Sequence, residues 1–191
     1  MSADSRITVH MAASLDGFIA RKDGNVDWME TADEFIGGQA MDPTETETFL
    51  QSIDCYVMGS KTYETALAFH AKGLGWVYGD KPTFVLTRRQ LPKIQETIEF
   101  HAGDLTHLAN GILRPKFRSV WVVGGGQLVA ECVRLGLVDE IHYTILPILI
   151  GEGISFFGTL GADSPLHLAA VKAYRSGIVD LTYHIVRQRP T

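Results

Sequence analysis

Cysteine is scarce in this chain: two residues, Cys55 and Cys132, among 191. Neither has metal-ligand spacing; Cys55 sits in an apolar run and Cys132 within the helix that follows the glycines, so both read as inert, buried small hydrophobes and no metal is expected. Long apolar stretches are missing too, and nothing approaches the roughly 20 residues needed to span a membrane. Met1–Arg6 lacks the apolar region of a signal peptide, so the expected location is the cytoplasm. An excess of basic charge is absent as well. Seventeen Lys and Arg stand against 22 Asp and Glu, a net charge of −5, which argues against a nucleic-acid backbone as the main partner. A local basic pocket for a phosphorylated small molecule stays compatible with that balance. No internal repeat or low-complexity segment is visible.

What is present is ordinary for a globular enzyme-sized domain: 46% hydrophobic and 20% charged residues. Residues 1–191 fit a single domain that can bury its core without disulfides. The most informative stretch runs from Ser119 to Val129. A β-branched run, Ser119–Val123, stops at Gly124-Gly125-Gly126, and an apolar pattern of helical period begins at Leu128. That is a strand delivering its carboxyl end into a glycine turn that opens a helix. Free N–H groups and the positive dipole end of such a helix attract a phosphate.

Elsewhere, strands are expected at Ile7–Ala13, Ile53–Met58, Thr83–Thr87, weakly at Ile98–Phe100, and at Ile141–Leu146. Helices are expected at Pro43–Leu50, from Ser60 onward, near Asp104–Gly111, and over Leu128–Leu135, the last capped by Gly136. Residues 14–30 read as an irregular loop with Asp-Gly turns and apolar side chains, a candidate lid. Leu67–Pro82 reads as a glycine-rich loop, and Ile148–Gly161 as another. Leu166–Tyr174 and Ile178–Arg187 form an antiparallel hairpin. The implied architecture is α/β: a mixed, mainly parallel central sheet flanked by helices, with a C-terminal antiparallel hairpin. In such sheets ligands bind outside the carboxyl ends of the strands. Those ends carry Ala13-Ser14, Gly59-Ser60-Lys61, Thr87-Arg88-Arg89 and Gly124-Gly125-Gly126.

Five motifs in this order and spacing carry a resemblance: Met11-Ala12-Ala13-Ser14-Leu15-Asp16-Gly17, Val57–Glu64, Val85-Leu86-Thr87-Arg88, Val123–Gly126 and Pro147–Gly153. The chain resembles the dihydrofolate reductase-like superfamily from Ile7 to about Val186. In detail it is most similar to the C-terminal reductase domain of the bifunctional riboflavin-biosynthesis deaminase/reductase and its stand-alone relatives. That resemblance implies NADPH as cofactor. Val123, Gly124, Gly125, Gly126, Gln127 and Leu128 would receive its pyrophosphate, with Gly59, Ser60, Lys61 and Thr62 at a second helix start. Thr87 and Arg88 match the place of the adenosine 2′-phosphate, which a guanidinium suits because it can bond a dianion in a bidentate way. Ala12 and Ile19 match positions against the nicotinamide.

On the substrate side the resemblance points to Trp28 and, five residues on, Asp33, with Thr144 as a strand hydroxyl. Asp33, Asp16 or an ordered water would supply the proton. The sequence also departs from the family: Gly59-Ser60 stands where Gly-Arg is frequent, and Val129 replaces a tyrosine common in dihydrofolate reductases. A zinc-deaminase motif of the His-x-Glu…Cys-x-x-Cys type is absent from the chain. The reading implied is an NADPH-dependent oxidoreductase passing hydride to a small heterocyclic or carbonyl/imine substrate. The substrate could be a ribosylaminopyrimidine of riboflavin synthesis, as for a 5-amino-6-(5-phosphoribosylamino)uracil reductase. The alternatives are dihydrofolate reductase activity or a non-catalytic NADP(H)-binding module. A homodimer through the terminal hairpin and Pro147–Ile150 is expected by the same analogy.

Overall fold

A computed structural model describes residues 5–187; the reading of Met1–Asp4 as free of a leader falls outside them. The elements run β1 (Arg6–Ser14), β2 (Phe18–Ala20), α1 (Pro43–Ser52), β3 (Cys55–Gly59), α2 (Ser60–Phe69), β4 (Thr83–Leu86) and β5 (Ile98–His101). They continue with α3 (Leu105–His107), α4 (Arg114–Lys116), β6 (Ser119–Gly124), α5 (Gly126–Arg134), β7 (Glu140–Leu146), β8 (Ile154–Ser155), β9 (Leu166–Ala173) and β10 (Val179–Ile185).

Eight strands form one sheet in the order β5-β4-β3-β6-β1-β7-β10-β9, and β2 pairs with β8 apart from it. The first six are mutually parallel; β10 runs antiparallel to both β7 and β9. The architecture is therefore the mixed, mainly parallel sheet with a terminal antiparallel hairpin. β3 is buried on both faces, which is why it reads as an unbroken apolar run rather than an alternating one. One face packs Ile7, Val9, Val122 and Ile141 against Leu128, Val129, Cys132 and Val133 of α5. The other packs Tyr56, Met58 and Val85 under Tyr63 of α2. Among the described residues no helix is long and apolar enough to cross a membrane.

Local chemistry explains the helix ends. Asp42 caps α1, its side chain accepting from the Thr44 N–H at 2.9 Å, with Pro43 next in line. Gly136, at φ +65°, ends α5 with two bonds, Gly136 N–H to Val133 O (3.0 Å) and Leu137 N–H to Cys132 O (2.9 Å). That is a Schellman motif.

Several boundaries differ from the sequence reading. Helix α5 begins at Gly126, two residues before its first apolar side chain, because the glycines themselves take the first turn. The expected loop at Leu67–Pro82 starts as the end of α2 and a π-wound turn, His70–Leu74, before opening out. Residues 14–30 and 148–161 each contribute a short strand, β2 and β8, and the two pair.

Candidate active site

All six parallel strands point their carboxyl ends to one edge of the sheet, and the sheet order arranges the motifs along it. From β4 through β3 and β6 to β1 lie Thr87-Arg88, Gly59–Thr62, Gly124–Leu128 and Ala12. Three inter-strand steps span about 14 Å at ~4.8 Å each. Two helices start side by side on this edge. Gly59 caps α2 and Gly125 caps α5, and neither cap offers a side-chain hydrogen bond. A Cβ built on Gly59 would lie 3.8 Å from Gly124 O, and one on Gly125 would lie 3.7 Å from Thr62 Oγ1. The two free N-termini therefore share one small space, whereas α1 and α3 have their first N–H groups covered by Asp42 and Asp104.

The three glycines play different parts. Gly124 has φ +128° and closes a cis peptide to Gly125, with Met11 Sδ filling the space beneath it. At Gly126 a Cβ would stand 2.0 Å from Ser155 O, so its absence lets β8 cross the start of α5. Gln127 is the exposed side chain of that first turn, whereas Val123 is partly buried and Leu128 is buried.

The positive groups at this edge are of two kinds. Arg89 is bound in a bidentate pair with Glu64 (3.0 and 2.8 Å), which holds the Glu64 carboxyl below its usual range. Arg88 and Lys61 are exposed and form no ion pair among the described residues. Thr87 Oγ1 accepts from the Arg89 N–H at 2.9 Å, which fixes the turn that presents Arg88.

Asp16 is spoken for. Its carboxylate accepts from Ser14 Oγ (2.6 Å), Gly151 N–H (2.7 Å) and Ile150 N–H (3.2 Å). The Ser14 hydroxyl foremost, and these amides after it, hold its pKa below the ordinary carboxylate value. An ion so stabilised is a poor acid; it fastens the 14–17 turn to the 148–151 loop instead. Further ties include Leu15 N–H to Ile148 O (2.8 Å), Phe156 N–H to Gly17 O (2.9 Å), the β2–β8 pair and the ion pair of Lys22 with Glu152. Residues 14–22, the first part of the 14–30 segment read as a candidate lid, are thus laced down onto the 148–156 stretch. Ile19 packs against the core from this strap.

On the substrate side Trp28 is 4% exposed, with its Nε1 enclosed and unpartnered. Asp33, which the resemblance places on the substrate side, is exposed, and its Oδ2 lies about where a Cβ on Gly177 would stand. Glu30–Asp33 and Leu146–Ile148 line a cleft of about 140 Å³ beyond the end of β7. Thr144 faces the same side of the sheet as Ala12, its partner in register, and its Oγ1 lies 3.3 Å from His10 Nε2.

The sequence reading missed the residues around Thr144. His10 stacks on Trp121, with ring centroids 5.4 Å apart, and meets Phe49 and His142 edge-on. Burial, then the neighbouring His142, lowers its pKa to about 4, so the ring is neutral near pH 7. Asp180 of β10 stands opposite Thr144 and accepts from Tyr174 Oη (2.9 Å). One signal was legible: β7 and β10 alternate, with Glu140, His142 and Thr144, and Asp180, Thr182 and His184, on one face.

This strand order, with glycine-headed helices on the carboxyl edge, defines a domain of the dihydrofolate reductase-like superfamily. The chain belongs to the RibD C-terminal domain family, whose model matches residues 66–179. The uncharacterized protein YwjB of Bacillus subtilis (strain 168) is 29% identical over 177 residues, covering 92% of this chain and 95% of YwjB. A crystal structure from Shewanella sp. PV-4, described as a candidate riboflavin biosynthesis protein, is 27% identical. It superposes with a TM-score of 0.79 over 98% of this chain and 100% of that one. The Thermotoga maritima diaminohydroxyphosphoribosylaminopyrimidine deaminase/5-amino-6-(5-phosphoribosylamino)uracil reductase shares the fold (TM-score 0.63, 14% identity). The match covers 96% of this chain and 57% of the Thermotoga one.

Proposed function

We propose that the protein is an NADPH-dependent reductase acting on a small nitrogen heterocycle, of the kind handled in riboflavin biosynthesis. The observation that carries this reading is the pair of uncapped, glycine-headed helix N-termini meeting at the ends of β3 and β6. They fit a pyrophosphate on chemical grounds, because unsatisfied N–H groups and aligned dipoles favour an anion. Arg88, without an ion pair among the described residues and just beyond the end of β4, two strands from β6, fits the 2′-phosphate that separates NADPH from NADH. Membership of the RibD C-terminal domain family supports the same assignment.

When bound, the nicotinamide would supply the hydride. The chain's own residues would do the rest. Gly124–Leu128 and Ser60–Thr62 bind the diphosphate, Thr87 and Arg88 read the adenosine end, and Ala12 and Ile19 leave room for a flat ring. Asp16 locks the 14–17 turn against the 148–151 loop, which keeps that ring's surroundings fixed. Trp28 and Thr144 border the substrate, and Asp33, on the open cleft at the end of β7, is the side chain available to pass a proton from solvent. Such an enzyme would draw on the cytoplasmic pool of reduced cofactor. It would pair as a homodimer through β9, whose Leu166, Leu168 and Val171 are 41%, 47% and 55% exposed.

Calorimetric titration tests the reading. NADPH should bind at least roughly tenfold more tightly than NADH, a difference of about 1.4 kcal/mol or more. Arg88→Ala should narrow that ratio. Absence of binding by either nucleotide would sink the proposal, and an unaltered ratio would remove Arg88 from the 2′-phosphate site.

A further inference from the structure

The registers of β1, β7, β10 and β9 place Ala12, Thr144, Asp180 and Lys172 in one row across the sheet, all on the face that α1 covers. In-register neighbours bring their Cβ atoms within about 5.5 Å, so the Thr144 hydroxyl and the Asp180 carboxylate can converge on one ligand. Lys172 is not Asp180's partner, because its Nζ bonds Glu45 of α1 at 2.7 Å. Asp180 is held instead by Tyr174, whose hydroxyl donates to Oδ2 at 2.9 Å. Its other oxygen, Oδ1, is enclosed and has no partner among the described residues. A buried acceptor left unmade is costly, and such atoms in a site are commonly completed by a ligand or water.

Beside it, His10 supports the Thr144 hydroxyl through the 3.3 Å contact at Nε2, and its own Nδ1 is likewise enclosed and unpartnered. Burial keeps His10 neutral and Glu45 engages Lys172, so Asp180 is the charged group of this row left without an ionic partner among the described residues. Such a row rejects carboxylates and phosphates at this end and accepts N–H donors, with a hydroxyl alongside for a carbonyl. An N–H and a C=O side by side on a flat ring are the edge of a cyclic lactam.

Resting on the reductase reading above, we infer that Asp180, positioned by Tyr174, is a specificity-determining residue. It accepts the ring N–H of a lactam-type heterocycle through Oδ1 while Thr144 donates to the adjacent carbonyl. The negative row and the phosphate-binding edge of the sheet would thus be kept apart, one for the neutral ring and one for the anionic cofactor.

The test uses two probes on the full chain, 5,6-diaminouracil and 5,6-diamino-1,3-dimethyluracil, which lacks the ring N–H groups. Each is titrated with and without saturating NADPH. The wild-type protein should bind the first at least roughly tenfold more tightly than the second. Asp180→Ala should erase that discrimination and Asp180→Asn should restore part of it. Cooperative unfolding and NADPH affinity should stay as in the wild type. Equal binding of the two uracils by the wild type, or undiminished discrimination in Asp180→Ala, would overturn the inference. Discrimination intact in a protein that fails to bind NADPH would leave Asp180 in its role and take down the cofactor assignment instead.

Discussion

His10 shows how one residue's setting becomes a property of the whole protein. In the unfolded chain its imidazole titrates near the ordinary 6.5, whereas in the fold burial brings the value to about 4. The native ring stays neutral while the unfolded ring takes up a proton, so acid favours unfolding. The stability at stake is fully present above pH 6.5, drains away as pH falls toward 4, and amounts to about 3 kcal/mol. Denaturant midpoints at pH 7 and pH 5 should therefore converge in His10→Gln, which cannot titrate. A slope over that interval equal to that of the wild type would show that other groups dominate it. Glu140 adds a loss further into acid, because bonds from His142, then Arg6 and His184, depress its carboxyl. The two cysteines take no part: both are buried, and burial raises both thiols, Cys132 to about 12.

At the scale of elements, the glycine turn between β6 and α5 separates binding from folding within two residues. Gly125 opens toward the shared space with α2, and its nearest neighbour for an added Cβ is Thr62 Oγ1 at 3.7 Å, ordinary contact. Gly125→Val should leave the unfolding midpoint nearly unchanged and weaken NADPH by roughly tenfold or more, since its branched side chain would enter the place proposed for the pyrophosphate. Gly126→Ala should do the reverse in kind. Its Cβ would meet the carbonyls of Ser155 and Phe156 at 2.0 and 3.1 Å, forcing β8 off α5 and lowering stability before any ligand is added. Thermal melts and titrations of the pair check both halves. A Gly126→Ala protein as stable as the wild type would mean that the β8 crossing is not a fixed feature.

The strap formed by residues 14–22 belongs to this scale as well. The Asp-Gly turns and apolar side chains were readable as a loop over the site, and its fastening was not. Asp16 meets Ile150 and Gly151 across 134 and 135 residues of chain, a pairing that no local pattern encodes.

At the scale of the molecule, the sheet ends at β9, whose C-terminal end is bridged by Gln39 while the stretch carrying Leu166, Leu168 and Val171 presents exposed apolar side chains. A bulge between Thr182 and Tyr183 sets Leu166, Leu168 and Val171 opposite Ile185, Tyr183 and Leu181; Tyr183 and Ile185 pack on the core, and the β9 side of this apolar face is left exposed. Long apolar edge strands invite association, and a second copy is the simplest cover. Val171→Lys should shift sedimentation from a dimer to a monomer at micromolar concentration. A wild-type chain that already sediments as a monomer would count against the homodimer.

Sequence periodicity and turn chemistry by themselves determined the main strands and helices, the parallel sheet with its antiparallel end, and the glycine and arginine motifs on the strand ends, whereas β2, β8 and the turn at His70–Leu74 read as loop. Those signals are local: β-branched runs, glycines and strand–helix alternation act within a few residues of chain. Tertiary structure alone decided which side chains face one another across strands. It occupied Asp16 with loop amides, left Asp33 at the surface, and set Asp180 beside Thr144 from 36 residues away. Register and burial fix such meetings, and both depend on how distant strands pair rather than on any stretch read alone.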